Sequence, residues 1–71
     1  MKFAVVKQVN GNFEVASEWT DNKIGAIVSY HQLCAALWNE NIAVDAVVKI
    51  VDKNFDEVDG YGEEIVHDAK A

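Results

Sequence analysis

Apolar and polar side chains alternate from residue 3 to 19, recur at helical spacing through residue 38, and alternate again from residue 42. In the first stretch, KFAVVKQVNGNFEVASEW, odd positions hold Phe3, Val5, Lys7, Val9, Phe13, Val15, Ser17 and Trp19, six of the eight apolar. Even positions hold smaller or more polar residues: Ala4, Val6, Gln8, Glu14, Ala16 and Glu18. The Asn10-Gly11 dipeptide between the two runs is a hairpin signal. A two-residue loop there pairs odd with even positions and divides the large side chains between both faces. A loop of three or five residues keeps Phe3, Val5, Phe13, Val15 and Trp19 together. Parity therefore predicts an odd-length loop, with the odd face against the core.

Thr20 or Asp21 then caps a predicted helix that runs to about Asn39. At 100° per residue, Ile24, Ile27, Val28, Tyr30, His31, Cys34, Ala35, Leu37 and Trp38 share one broad arc, wider than a single sheet normally covers. The segment NIAVDAVVKIVDKNFDEVDGY predicts a second hairpin with Ile42, Val44, Ala46, Val48 and Ile50 on one face. A turn over Asp52-Lys53-Asn54 sets Lys49 opposite Glu57 and Val48 opposite Val58. Residues 62–71 add a short strand at Glu64 to His67 before fraying. The predicted fold is α+β: a single small domain over residues 1–71, ββαββ, with one helix on one face of an antiparallel-rich sheet.

Outward parity in the second hairpin collects Val47, Val51 and Phe55, and Ala4, Val6 and Ala16 join them from the first. The far face of the sheet is then partly apolar, and such a patch often marks an interface, although antiparallel sheets also face water on one side. The contacts it predicts are Val6, Val47, Val51 and Phe55, ringed by Glu14, Glu18, Lys49 and Glu57.

Size and charge narrow the function. A chain of 71 residues buries only about 60% of its unfolded surface and is marginal alone. One cysteine excludes an intramolecular disulfide, and a lone thiol without a secretory leader fits a reducing, cytoplasmic setting. Twelve acids face six bases, all lysine, for a net charge of −6. Without arginine, and with that sign, the chain is a poor ligand for nucleic acid or for an anionic membrane surface. A protein partner, either a second copy in a homodimer or another chain, is the remaining class.

Three chemical readings compete with simpler ones. His31 and Cys34, three apart on a helix, are half of a tetrahedral metal site, and His67 could supply a third ligand, but the second close-spaced pair of known zinc signatures is missing. Cys34 as a nucleophile needs a polar setting, whereas Ile27, Tyr30, Leu37 and Trp38 surround it on the arc. Asp52, Asn54, Asp56 and Glu63 occupy calcium-loop spacing, yet Glu57 stands where the tight turn requires glycine. Core residues and a solvated acidic hairpin explain these positions, so the sequence predicts no enzyme, no catalytic or metal residues and no cofactor. Trp19, Trp38 and Tyr61 read as packing residues rather than a stacking platform.

The stretches FAVVKQVNGNF, YHQLCAALWN and VDGYGEEIVHD together resemble a family of short uncharacterised proteins from bacteria and their phages. The resemblance implies a single domain and a phage or mobile-element context, and carries no activity or residue role. Three functions follow as expectations, the last of them a metal or thiol site at His31 and Cys34. The first is a non-enzymatic interaction module that self-associates or docks through the outer sheet face. The second is an acidic decoy that covers the basic surface of a nucleic-acid-binding protein, motivated by the acids crowded between Asp52 and Asp68.

Overall fold

The computed structural model describes residues 2–69, apart from the side chain of residue 59. Its elements are β1 (Phe3–Val9), β2 (Asn12–Val15), α1 (Lys23–Trp38), β3 (Val44–Asp52) and β4 (Glu57–His67), an α+β domain in ββαββ order. The four strands form one antiparallel sheet in the order β2-β1-β3-β4, and α1 lies across one face. The predicted short strand at Glu64 to His67 is the second half of β4, and Lys70 and Ala71 of the predicted frayed tail lie outside the described residues.

The first hairpin corrects the parity argument. Val9 pairs with Asn12 and Val6 with Val15, so the loop is the two residues Asn10-Gly11. Both take positive φ, 50° and 88°, as a type I′ turn requires. Asn10 also extends the β1–β3 ladder: its amide donates to the Asp45 carbonyl at 2.9 Å, and its Oδ1 accepts from the Asp45 amide at 3.0 Å. Local turn chemistry, pinned by β3, thus overrides the segregation of large side chains. Phe3 and Val5 face the helix as expected, but Phe13 and Val15 point to the opposite side with Val6 and Gln8.

Beyond β2 the chain continues along β1 through a bulge. The Ala16 amide donates to the Val5 carbonyl at 2.7 Å, the Ser17 hydroxyl accepts from the Val5 amide at 2.9 Å, and backbone pairing resumes between Phe3 and Thr20. Ser17 Oγ thus takes the place of a ladder carbonyl. Alternation from the Phe3–Thr20 bridge puts Trp19 on the side of Ala4, away from the helix. This too departs from the odd-face expectation.

Helix α1 begins one residue later than expected. Asn22, not Thr20 or Asp21, is its N-cap, accepting from the Gly25 amide at 3.0 Å, while Thr20 Oγ1 accepts from the Asn22 amide at 3.0 Å. The buried seam is narrower than the predicted arc: Ala26, Tyr30, Cys34 and Leu37, flanked by half-buried Ile27 and Leu33. Small Ala26 and Cys34 let the helix sit close to Val44, Ala46, Val48 and Ile50 of β3 and Ile65 of β4. Ile24, Val28, His31, Ala35 and Trp38 are exposed, because one helix on a four-stranded sheet covers a single stripe of its own surface.

The β3–β4 turn falls one residue later than expected. Lys53-Asn54-Phe55 form a three-residue loop closed by Asp52 and Asp56, whose backbones bond at 3.0 Å. Asp52 Oδ1 accepts from the amides of Asn54 and Asp56, and Phe55 takes the left-handed φ of 63° that such a loop usually gives to glycine. A bulge containing Gly60 (φ 85°) then shifts β4 by several residues. Val51 faces Glu57, Lys49 faces Gly62 and Val48 faces Glu63, replacing the predicted Lys49–Glu57 and Val48–Val58 pairs.

Two glycine substitutions separate these constraints. At Gly11 an added Cβ meets nothing within 4 Å, so Gly11→Ala is penalised by backbone strain alone and should destabilise the fold by about 1–2 kcal/mol. At Gly62 the added Cβ meets only the Glu57 carboxylate, the end of a flexible side chain, and Gly62→Ala should stay within about 0.5 kcal/mol of the parent. Urea unfolding of both variants checks the contrast; equal losses would contradict it.

Candidate interface on the open sheet face

The two faces of the sheet differ in what covers them. On the helix side, Val5, Ala46, Val48, Ile50 and Ile65 are almost completely enclosed. The open side has no second layer, yet its cross-strand rows are largely apolar. One row runs Phe13, Gln8, Val47, Glu64; the next runs Val15, Val6, Lys49, Gly62; the third has Ala4 beside Val51 and Glu57.

Of the four predicted contacts, Val47 (39% exposed) and Phe55 (54%) are at the surface, whereas Val6 (2%) and Val51 (1%) are already buried within the single chain. Trp19 and Phe55 lie at one end of this face. Their rings meet edge to face with centroids 5.5 Å apart, at the end of the sheet where Ala4 and Val51 pair. A left-handed phenylalanine is strained by about 1–3 kcal/mol, and an aromatic contact of this geometry offsets about 0.5–1.5 kcal/mol of that. Phe13, Val15, Trp19 and Val66 are exposed large apolar residues on the same face that parity had missed or assigned to the core. With Val47 and Phe55 they make six. A shallow cleft lies among them, lined by Val6, Gln8, Phe13, Val47 and Lys49.

The polar residues are of both signs. Lys49 is half-buried in the middle of the face, Glu57 and Glu64 stand on the β4 side, and exposed Asp45 pairs with Val66. Among the described residues the side-chain ion pairs are Lys2–Asp21 and Lys7–Glu14, and neither includes Lys49, Glu57 or Glu64. Glu14 is held by Lys7 on the other side of the hairpin and does not ring this face.

On the helix side the candidate chemistry comes apart. His31 is exposed, its ring against that of Tyr30 at 5.1 Å, while Cys34 is buried. His31 is therefore not on the inner side of the helix, and the pair does not share one environment. Burial, with the Glu63 carboxylate adding to it, pushes the Cys34 thiol up, away from thiolate. His67 lies at the far end of the helix: Nε2 is 2.8 Å from the Leu37 carbonyl and Nδ1 2.9 Å from that of Asp68. Its ring stacks on Trp38 at 5.8 Å, and Trp38 Nε1 donates to Glu63 at 2.8 Å. Among the described residues no group of three or more His, Cys, Asp or Glu is placed to hold a metal ion. Asp52 organises its turn and Glu63 anchors Trp38, so the calcium-spaced acids serve separate structural tasks. Tyr61 packs edge to face on Tyr30 with centroids 6.1 Å apart.

Among the described residues, no helix is long and apolar enough to cross a membrane. No family model, curated protein or solved structure matches the chain.

Two measurements test the helix side. Cys34 should react with a thiol reagent only as fast as the fold opens, and labelling at the rate of a free thiol would contradict its burial. The Tyr30 hydroxyl is pushed up to about 12 by burial first, then by Cys34 and Glu63. The folded state therefore holds this proton more tightly than the unfolded chain. The stability this contributes is complete below the ordinary value of 10.0 and is lost as pH rises toward 12. Ultraviolet titration should show a late tyrosinate transition that Tyr30→Phe removes.

Proposed function

We propose that this chain is a non-enzymatic protein–protein interaction module that presents its open sheet face to a protein partner. The observation that carries the reading is the run of six exposed large apolar side chains, Phe13, Val15, Trp19, Val47, Phe55 and Val66, on the face opposite the helix. Scattered exposed apolar residues are ordinary; a cluster on one side of a sheet with no covering layer is not. The strained backbone at Phe55 supports the same reading, since it holds a ring at the surface where a glycine would relieve the turn.

The acidic-decoy reading gains less. Its acids are dispersed: Asp52 caps a turn, Glu63 faces the helix, and Glu57 and Glu64 border the apolar face. The net charge of −6 and the lack of arginine still favour protein over nucleic acid as the partner class. A reducing, cytoplasmic setting suits the buried free thiol.

In-cell photo-crosslinking tests the face. A benzophenone amino acid replacing Phe13 or Phe55 should give protein adducts, whereas the same group replacing Val28, exposed on the helix, should give none. Adducts from position 28 alone, or from none of the three, would refute the assignment.

A further inference from the structure

Resting on that reading, we infer that the open face closes on a second copy of this chain, the two sheets stacking as a sandwich about a two-fold axis. Three properties of the face favour this occupant. The first is shape. An antiparallel sheet without a covering layer buries its apolar rows against another sheet about 10 Å away, and a two-fold contact requires only that one patch complement itself. Phe13 and Phe55 project from the face and the shallow cleft among Val6, Gln8, Val47 and Lys49 indents it, so the same face carries both a projection and a recess.

The second property is area. Aromatic side chains cover roughly 150–250 Å² each, so the six exposed residues offer on the order of 500 Å² of apolar surface, toward the top of the range for a monomer's largest patch. A standard interface removes about 800 Å² per partner. Gln8, Lys49, Glu57 and Glu64, on the same face, supply a polar remainder. The patch is thus the size that a copy of this sheet would cover.

The third is charge. Lys49 lies within the face and Asp45, Glu57 and Glu64 around it, none of them in the ion pairs found among the described residues. A surface with one cation and flanking acids meets its own copy with opposite signs available. Away from the face the copies repel, each carrying −6, so added salt should leave association unchanged or strengthen it.

Sedimentation equilibrium of the full chain tests the inference, with circular dichroism verifying that each variant is folded. The weight-average mass should rise with concentration from 7.9 kDa toward twice that value. Val47→Asp and Phe13→Asp, both at exposed positions, should each weaken the dimer by ~10-fold or more. Lys49→Glu, which removes the cation, should weaken it as well. A chain that stays monomeric to about 1 mM, far weaker than a specific interface of this size, overturns the second-copy assignment while leaving crosslinks from Phe13 and Phe55 to another protein as support for the face. A dimer that survives both aspartate variants forms through another surface and overturns the second-copy assignment, and the absence of crosslinks from Phe13 and Phe55 would overturn the open-face reading as well.

Discussion

A one-residue slip in a β-hairpin exchanges the two faces of a strand, and here the Asn10-Gly11 turn decides which way the exchange goes. Its two positive φ angles allow a two-residue loop, and the two hydrogen bonds between Asn10 and Asp45 tie that loop to the third strand. The consequence is a sheet with two apolar faces. Phe3 and Val5 go under the helix, while Phe13 and Val15 go to the opposite side, where the described residues place no helix or second sheet. Every functional statement about this protein descends from that division.

The second strand pair and the helix then fix how the rest is shared. The β3 face of Val44, Ala46, Val48 and Ile50 takes the helix seam of Ala26, Tyr30, Cys34 and Leu37, which encloses the thiol and keeps it protonated. On the reverse of the same strand Val47 stays exposed, and Val51 is enclosed at the end where the Trp19–Phe55 pair lies. Helix-side polar groups are engaged structurally: Glu63 with Trp38, His67 with the end of the helix. The chemistry suggested by His31 and Cys34 has no common cavity, whereas the open face combines exposure, apolarity and charge of both signs.

Element order, the single helix, and the inward set of β3 were all legible in alternation and helical spacing, because burial on one face imposes those periods. So was the existence of an apolar outer face containing Val47 and Phe55. The membership of that face was less so. Counting parity favoured an odd loop since it gathered the large side chains, but the Asn-Gly dipeptide carries a local backbone preference that outweighed the gathering. Heeding it would have moved Phe13 and Val15 outward. The bulges at Ser17 and Gly60 left weaker marks, since a hydroxyl replacing a carbonyl and a three-residue loop ending on phenylalanine have no distinctive pattern. Val6 and Val51 face outward as alternation predicts, but they are buried within the single chain, a tertiary fact beyond alternation.

The register of the first hairpin can be read directly from cross-strand nuclear Overhauser effects in the folded chain. The account predicts contacts between Val6 and Val15 and between Gln8 and Phe13. Contacts between Val9 and Phe13 and between Lys7 and Val15 instead would mean a three-residue loop, would carry Phe13 and Val15 to the helix side, and would contradict the two-faced sheet.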